Sequence, residues 1–157
     1  MEPTIPSDNP PSTAEMAAMT AACVCLNVRQ AARAVTQLYN GILQPAGLRM
    51  SQFGTLAKIA VAGEVTLTRL AEDLVMDRTT LARNLKPLET QGLITIEPGA
   101  DRRTRIVTLS ARGRAALKTT LPYWRAAQEQ VVTGLGEERY RALLAGLRAV
   151  TELTDTD

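Results

Sequence analysis

The side chains best suited to act on a partner molecule lie between Thr66 and Lys118. This stretch holds ten Lys and Arg residues against six Asp and Glu residues, although the whole chain of 157 residues has a formal charge of only +2. An excess of positive charge in one segment indicates a surface that attracts a polyanion such as nucleic acid. The alternative is a solvated charged face, because charge alone specifies no partner.

Several kinds of chemistry are excluded by the residue types that the chain lacks. It contains no histidine and only two cysteines, Cys23 and Cys25. The absence of histidine rules out Ser-His and Cys-His nucleophile pairs, imidazole metal ligands and a histidine pH switch. Two cysteines are too few for a zinc site made of cysteine alone. We therefore expect no enzyme activity, no catalytic residue, no metal and no cofactor.

The elements that position the basic residues follow from helix signals in the sequence. Thr68 is a suitable N-cap for a short helix ending near residue 75, and Asp77 is one for a second helix ending near residue 91. Gly92 then suits the left-handed position that follows a helix. The leucines at positions 81, 85 and 88 recur at helical spacing and predict the buried face. Two short helices joined by a tight turn predict a helix-turn-helix.

The outer face of the second helix carries the polar and basic side chains that a helix in the DNA major groove requires. Arg83 can bind guanine through two hydrogen bonds, and Asn84 can bind adenine. Thr79 and Thr80 can contact thymine methyl groups or phosphates. Further candidates for contacts with DNA are Arg78, Lys86 and, at the start of the preceding helix, Thr68. The alternative is that all of these are ordinary surface residues of an amphipathic helix.

A basic hairpin follows directly. Residues 94–96 and 105–109 alternate as strands do, and a Pro-Gly turn separates them. The residues at the tip are Asp101, Arg102, Arg103 and Arg105. Arginines at a hairpin tip can enter a narrow minor groove, and Asp101 is expected to pair with a neighbouring arginine. A helix-turn-helix followed by such a hairpin predicts a winged helix. The predicted fold is mainly α, and its winged helix-turn-helix is of the α+β type with a short wing hairpin.

Long helices flank the winged region. We predict one from about residue 14 to residue 43 and two after Ser110, and their apolar faces exceed what one small lobe can cover, so that a second chain is expected to cover them. The predicted regions are a disordered tail (1–13), an N-terminal dimerisation helix (14–48), a winged helix-turn-helix DNA-binding region (49–110) and C-terminal dimerisation helices (111–157). The acidic, proline-rich start differs from a secretory signal, and no stretch nears the ~20 apolar residues of a membrane span. We therefore expect a cytoplasmic protein without a membrane partner.

An ordered set of motifs resembles the MarR family of bacterial winged-helix transcription regulators. The motifs are Leu70–Leu74, Asp77–Arg83, Leu88–Leu93, Asp101–Arg105 and Leu109–Arg114. The resemblance implies a homodimer whose first and last two helices intertwine and whose two lobes bind a pseudo-palindromic operator in double-stranded DNA, with repression as the expected effect. It also implies that Arg103, the second arginine of the wing signature, enters the minor groove. The alternative is a winged-helix module that binds proteins and not DNA.

Members of this family are commonly released from DNA by a small aromatic or amphipathic ligand or by cysteine oxidation. On one continuous helix, Cys23 and Cys25 point roughly 160° apart, which hinders a bridge within one chain. The redox hypothesis is therefore a sulfenate or an inter-subunit disulfide at Cys23, with Arg29 and Arg33 stabilising the thiolate. The alternative is that both cysteines are small apolar fillers of a dimer interface.

A ligand cleft would need most of the few aromatic residues. Tyr39, Phe53 and Trp124 could line it together with Met50, and Arg29 or Arg33 could bind a ligand carboxylate. The alternative is that the aromatic residues pack in the core.

Overall fold

The structure, a computed structural model, describes residues 10–101 and 103–153. Most of the predicted tail (1–13) and the wing residue Arg102 lie outside the described residues. The described helices are α1 (Thr13–Ala22), α2 (Val24–Leu43), α3 (Met50–Ala62), α4 (Leu67–Asp73), α5 (Arg78–Thr90), α6 (Ala111–Leu135) and α7 (Glu137–Glu152). The described strands are β1 (Glu64–Thr66), β2 (Ile94–Pro98) and β3 (Arg105–Leu109). A 3₁₀ turn, Gln44–Ala46, follows α2.

The chain divides into two compact units, with the boundary between Gln37 and Leu38. The first unit contains α1 and most of α2. The prediction of one continuous helix from residue 14 to residue 43 is wrong, because these residues form two helices. The chain leaves the helical conformation at Cys23, where φ is −70° and ψ is 109°. The break is stabilised by the side chain of Asn27, whose Nδ2 donates to the carbonyl oxygen of Cys23 at 2.9 Å.

The second unit contains the predicted helix-turn-helix and wing, and its fold is mainly α with a small antiparallel sheet. The strand order is β1-β3-β2, with Val107 of β3 opposite Val65 on one side and Ile96 on the other. Strand β1 was not predicted from the sequence. The predicted N-cap of α4, Thr68, is wrong: the N-cap is Thr66, whose hydroxyl accepts from the Arg69 N–H at 3.1 Å.

One apolar cluster holds the winged lobe together. It contains the three predicted leucines of α5, all at most 1% exposed, and it joins them to α3, α4 and the sheet. Gly92 follows α5 with a φ of 67°, as predicted. Val75, in the turn between α4 and α5, has a φ of 52°, which is strained for a β-branched residue.

Helix α6 begins beside the wing and leads out of the lobe. Its predicted N-cap, Ser110, accepts from the Gly113 N–H at 2.9 Å and donates its hydroxyl to the Gly92 carbonyl at 2.6 Å. Further along, α6 contributes Ala127 to a second buried cluster with Tyr39 and Phe53. Among the described residues, no helix has both the length and the apolar character to cross a bilayer.

Candidate nucleic-acid interface

The start of α5 is fixed by two hydrogen bonds between Asp77 and Thr80. One carboxylate oxygen of Asp77 accepts from the Thr80 N–H at 2.8 Å, and the other accepts from the Thr80 hydroxyl at 2.6 Å. These bonds to the charged form lower the pKa of Asp77 below its ordinary value. The hydroxyl proton of Thr80 is therefore engaged within the helix, and only the oxygen lone pairs remain for a partner.

The remaining candidates on α5 lie on its exposed face. Arg78, Thr79 and Arg83 are exposed and make no ion pair within the described part of the chain. Asn84 makes a weak contact with the sulfur of Met76 at 3.7 Å. Lys86, in contrast, pairs with Glu89 at 3.2 Å on the same face. The face is thus polar and basic.

The wing tip is shaped by hydrogen bonds from backbone N–H groups to oxygen atoms of Asp101 and Thr104. The carboxylate of Asp101 accepts from the backbone N–H of Arg103 at 3.0 Å, and its carbonyl accepts from the Thr104 N–H at 2.8 Å. The Gly99 N–H donates to the Thr104 carbonyl at 2.8 Å. The described side-chain contact of Asp101 is therefore with the backbone N–H of Arg103, and the expected pairing of Asp101 with a neighbouring arginine stays a prediction because Arg102 lies outside the described residues. Asp101 fixes the turn that carries Arg103.

A cleft of about 290 Å³ separates the start of α5 from the wing. Its lining residues are Thr66, Leu67, Thr68, Arg78, Arg103, Thr104 and Arg105. Four of these were candidates from the sequence, and the three arginines form no ion pair with a described carboxylate. Unpaired guanidinium groups around one cleft suit a phosphate, because they offer several charged donors to one anion.

The structure does not bring every sequence candidate into this cleft. Arg83 and Asn84 lie further along α5, and Lys86 lines a second depression of about 270 Å³ together with Arg105. Three lining residues were missed: Thr66, Leu67 and Thr104. Thr66 carries the same hydroxyl as Thr68, so a correct assignment of the helix cap could have found it. No charge or motif marks Leu67.

The aromatic candidates form the second buried cluster and not an open cleft. Tyr39 and Phe53 are each 6% exposed, and the rings of Phe53 and Trp124 stack at 6.4 Å. The Tyr39 hydroxyl donates to the Gln128 side chain at 2.6 Å, and burial is the main cause that raises the pKa of Tyr39. Met50 and Trp124 are half-buried at the edge of this cluster.

The charged and thiol candidates belong to the first unit. Arg29 and Arg33 are exposed on α2. Cys23 is half-buried at the helix break, Cys25 is exposed, and both thiols are free. Within the described ranges, no group of three or more Cys, Asp or Glu residues could hold a metal ion.

Comparison with known proteins gives concordant matches to one family. The model of the MarR family matches residues 48–104. An uncharacterised helix-turn-helix regulator of Bacillus cereus is 30% identical over 108 residues, 69% of this chain and 72% of its own length. The Bacillus subtilis regulator YwoH, also uncharacterised, is 30% identical over 83 residues, which are 53% of this chain and only 61% of that protein.

A solved structure agrees over most of the chain. The Mycobacterium tuberculosis regulator MosR, crystallised in complex with DNA, is 39% identical with a TM-score of 0.74. The match covers 84% of this chain and 98% of MosR. These relatives are regulators and not enzymes, and the predicted winged-helix fold is confirmed. The chain belongs to the MarR family of DNA-binding transcriptional regulators.

Proposed function

We propose that two copies of this chain bind a pseudo-palindromic operator and repress transcription, each copy placing α5 in the major groove and the wing in the minor groove. The observation that carries the proposal is the convergence of Arg78, Arg103 and Arg105 on one cleft beside the exposed face of α5. A winged module that binds proteins would instead need an apolar or acidic face on α5, so that alternative is not favoured. Access to the chromosome makes the cytoplasm the proposed location.

The side chains divide into two groups by the part of DNA that they would contact. Arg83 and Asn84 are proposed to bind base edges, because their exposed groups match guanine and adenine in the major groove. Arg78 and Thr68 are proposed to hold phosphates, and Arg103 is proposed to enter the minor groove. Arg105 and Arg102, the latter outside the described residues, stay candidates for further contacts of the wing with DNA. We assign Thr79 to a thymine methyl group or a phosphate.

Three candidates have contacts that limit their part in DNA binding. Thr80 uses its hydroxyl proton on Asp77, so we propose that it serves mainly to shape the start of α5. Lys86 would have to leave Glu89 to reach a phosphate, which reduces the gain from that contact. Asp101 is proposed to hold the wing turn and not to touch DNA.

The homodimer is proposed from apolar surface that the described chain leaves uncovered. Exposed apolar side chains recur on the first two helices and the last: Met16, Met19, Leu26, Val28, Val35, Leu143, Leu147 and Val150. Surfaces of this kind mark protein contacts. The dimerisation region would then comprise residues 14–48 and 111–157 around the DNA-binding region 49–110, with half-sites about 34 Å apart.

Two modes of release from DNA are proposed as alternatives. A small aromatic or amphipathic ligand would enter near Met50 and Trp124, with Tyr39 and Phe53 as apolar walls. Because Trp124 is the only tryptophan, its fluorescence reports on this site alone. Titration with aromatic acids should change that fluorescence, and a flat response would exclude a site there.

Cysteine oxidation is the second mode. Cys23 and Cys25 would diverge on one continuous helix, but Cys23 has an extended backbone and lies between α1 and α2. Peroxide treatment followed by a DNA-binding titration tests the response, and intact mass with a non-reducing gel separates sulfenate, intrachain and inter-subunit products. Unchanged DNA affinity after full thiol oxidation would leave the cysteines as structural residues.

The operator itself can be found by selection. Random duplex DNA captured by the purified protein and then sequenced should yield a pseudo-palindrome, because a two-fold dimer presents two identical lobes. Enrichment of a single, asymmetric half-site would contradict the dimeric mode. No enrichment at all would contradict sequence-specific binding.

A further inference from the structure

The break between α1 and α2 occurs where the sequence contains no helix breaker. From Thr13 to Asn40 the chain has neither glycine nor proline, and the residues before the break are rich in alanine. Alanine has the highest helix propensity, so a continuous helix is the local preference. Nevertheless Cys23 has a ψ of 109° and lies outside both helices. Another contact must therefore hold the break open.

That contact is the side-chain amide of Asn27. Its Nδ2 lies 2.9 Å from the carbonyl oxygen of Cys23, 3.1 Å from that of Ala21 and 3.5 Å from that of Thr20. In a continuous helix the carbonyls of Thr20 and Ala21 would accept from the N–H groups of residues 24 and 25. The amide thus replaces the donors that the break removes, and it satisfies the carbonyl end of α1 from the first turn of α2.

We propose that the break is a conformational switch controlled by Asn27. While the Asn27 amide is hydrogen-bonded to the end of α1, α1 and α2 are two separate helices. When these hydrogen bonds are absent, α1 and α2 join into one continuous helix. In the broken form the amide donates to the Ala21 carbonyl at 3.1 Å and only weakly to the Thr20 carbonyl at 3.5 Å, whereas in a continuous helix both carbonyls accept from backbone N–H groups. The first turn of α2 also lacks an acidic residue that would stabilise a separate helix start. The broken form therefore depends on one side chain.

The break determines the direction of α1 and the approach of the two thiols. None of the side chains of α1 is buried, and no basic residue precedes Arg29, so this helix is not suited to nucleic acid. On a continuous helix Cys23 and Cys25 lie about 160° apart around the axis, whereas the extended conformation of Cys23 removes that constraint. The effect on the approach of the thiols rests on the proposed redox response, whereas the effect on the direction of α1 does not.

The test is amide hydrogen exchange and backbone NMR of the full chain with Asn27→Ala and Asn27→Leu. Leu branches at the same carbon as Asn, but it carries no hydrogen-bond donor and adds no charge at the start of α2. We expect the amides of residues 24–26 to exchange about tenfold more slowly in both variants than in the unmodified chain, which is the scale of one net hydrogen bond. We also expect the Cα chemical shift of Cys23 to move to a helical value. Gln30→Ala, an exposed side chain one turn further along α2, is the matched control and should change neither quantity.

Two results would overturn the proposal. Unchanged exchange in both Asn27 variants would mean that the break does not depend on this amide. Loss of protection within α1 without a gain at residues 24–26 would mean that Asn27 only caps α1 and that no continuous form competes. Oxidation that leaves DNA binding unaffected in every variant would contradict the redox proposal alone, because the exchange experiment does not involve the thiols.

Discussion

Gly113 lies in the first turn of α6 at a point where the winged lobe leaves no room for a side chain. A Cβ at this position would overlap the carbonyl oxygen of Leu93 and lie 2.9 Å from Cδ1 of Leu109. Two carbon atoms normally approach to about 3.5–4.0 Å. The Leu109 side chain could move, but the Leu93 carbonyl is backbone and accepts from the Ser110 N–H at 3.1 Å. Gly113→Ala must therefore separate α6 from the segment that follows α5.

The expected cost can be worked out from these contacts. Overpacking a core site costs about 1–3 kcal/mol, and weakening the bond from Ser110 to Leu93 adds about 1 kcal/mol. The higher helix propensity of alanine returns about 1 kcal/mol. We therefore expect Gly113→Ala to lower the free energy of unfolding by about 1–3 kcal/mol, or the melting temperature by about 2–12 °C for a chain of this size.

Urea unfolding followed by circular dichroism, at one fixed protein concentration, measures this difference. Gly134→Ala is the matched control, because Gly134 lies in the same helix and a Cβ there would meet no atom within 4 Å. We expect the control to be neutral or stabilising by up to about 1 kcal/mol. Equal stability of Gly113→Ala and the unmodified chain, with the control behaving as expected, would refute the packing argument.

Three further predictions concern the interface, the turn and the helix cap. Arg103→Ala should weaken operator binding and reduce the slope of log affinity against log salt concentration by about one unit, as measured by fluorescence anisotropy. The control Arg125→Ala, on α6, should change neither the affinity nor the slope. Equal slopes for Arg103→Ala and the unmodified chain would mean that Arg103 does not contact DNA. Val75→Gly should raise the free energy of unfolding by about 0.5–1 kcal/mol in urea, because Val75 has a φ of 52° and is 66% exposed; a loss of stability would contradict the strain. Because hydrogen bonds from Thr80 lower the pKa of Asp77 in the folded state below 3.8, its contribution to stability is present above that pH and disappears as the pH falls through the folded value. The stability difference between Asp77→Ala and the unmodified chain should therefore be constant from pH 5 to 8 and shrink below about pH 4, and a difference independent of pH would contradict the assignment.

The fold was predictable where local signals coincide with burial. The leucines of α5, the cap at Asp77 and the glycine at 92 act within one or two helical turns, so the sequence pattern alone located the helix-turn-helix. Strand β1 has only three residues, and it pairs Val65 with Val107, two residues that are far apart in the sequence. Such non-local pairing leaves no local pattern to detect. The cap of α4 was misplaced by two residues because Thr66 and Thr68 offer the same hydroxyl.

The candidate site was predictable in its residue types but not in its contacts. The sequence identified the arginines of α5 and the wing, whereas the use of the Thr80 hydroxyl by Asp77 depends on a side-chain rotamer. The break at Cys23 was not predictable from propensity, because it depends on a side chain four residues further along the chain. In each case a specific hydrogen bond overrides a statistical preference.

The mass and affinity of the complex with its selected operator test most directly whether two copies of the chain bind one duplex through α5 and the wing together. We expect two chains per duplex, and we expect Arg83→Ala and Arg103→Ala each to weaken binding at both half-sites. One chain per duplex, or an affinity unchanged by both substitutions, would contradict this mode of binding.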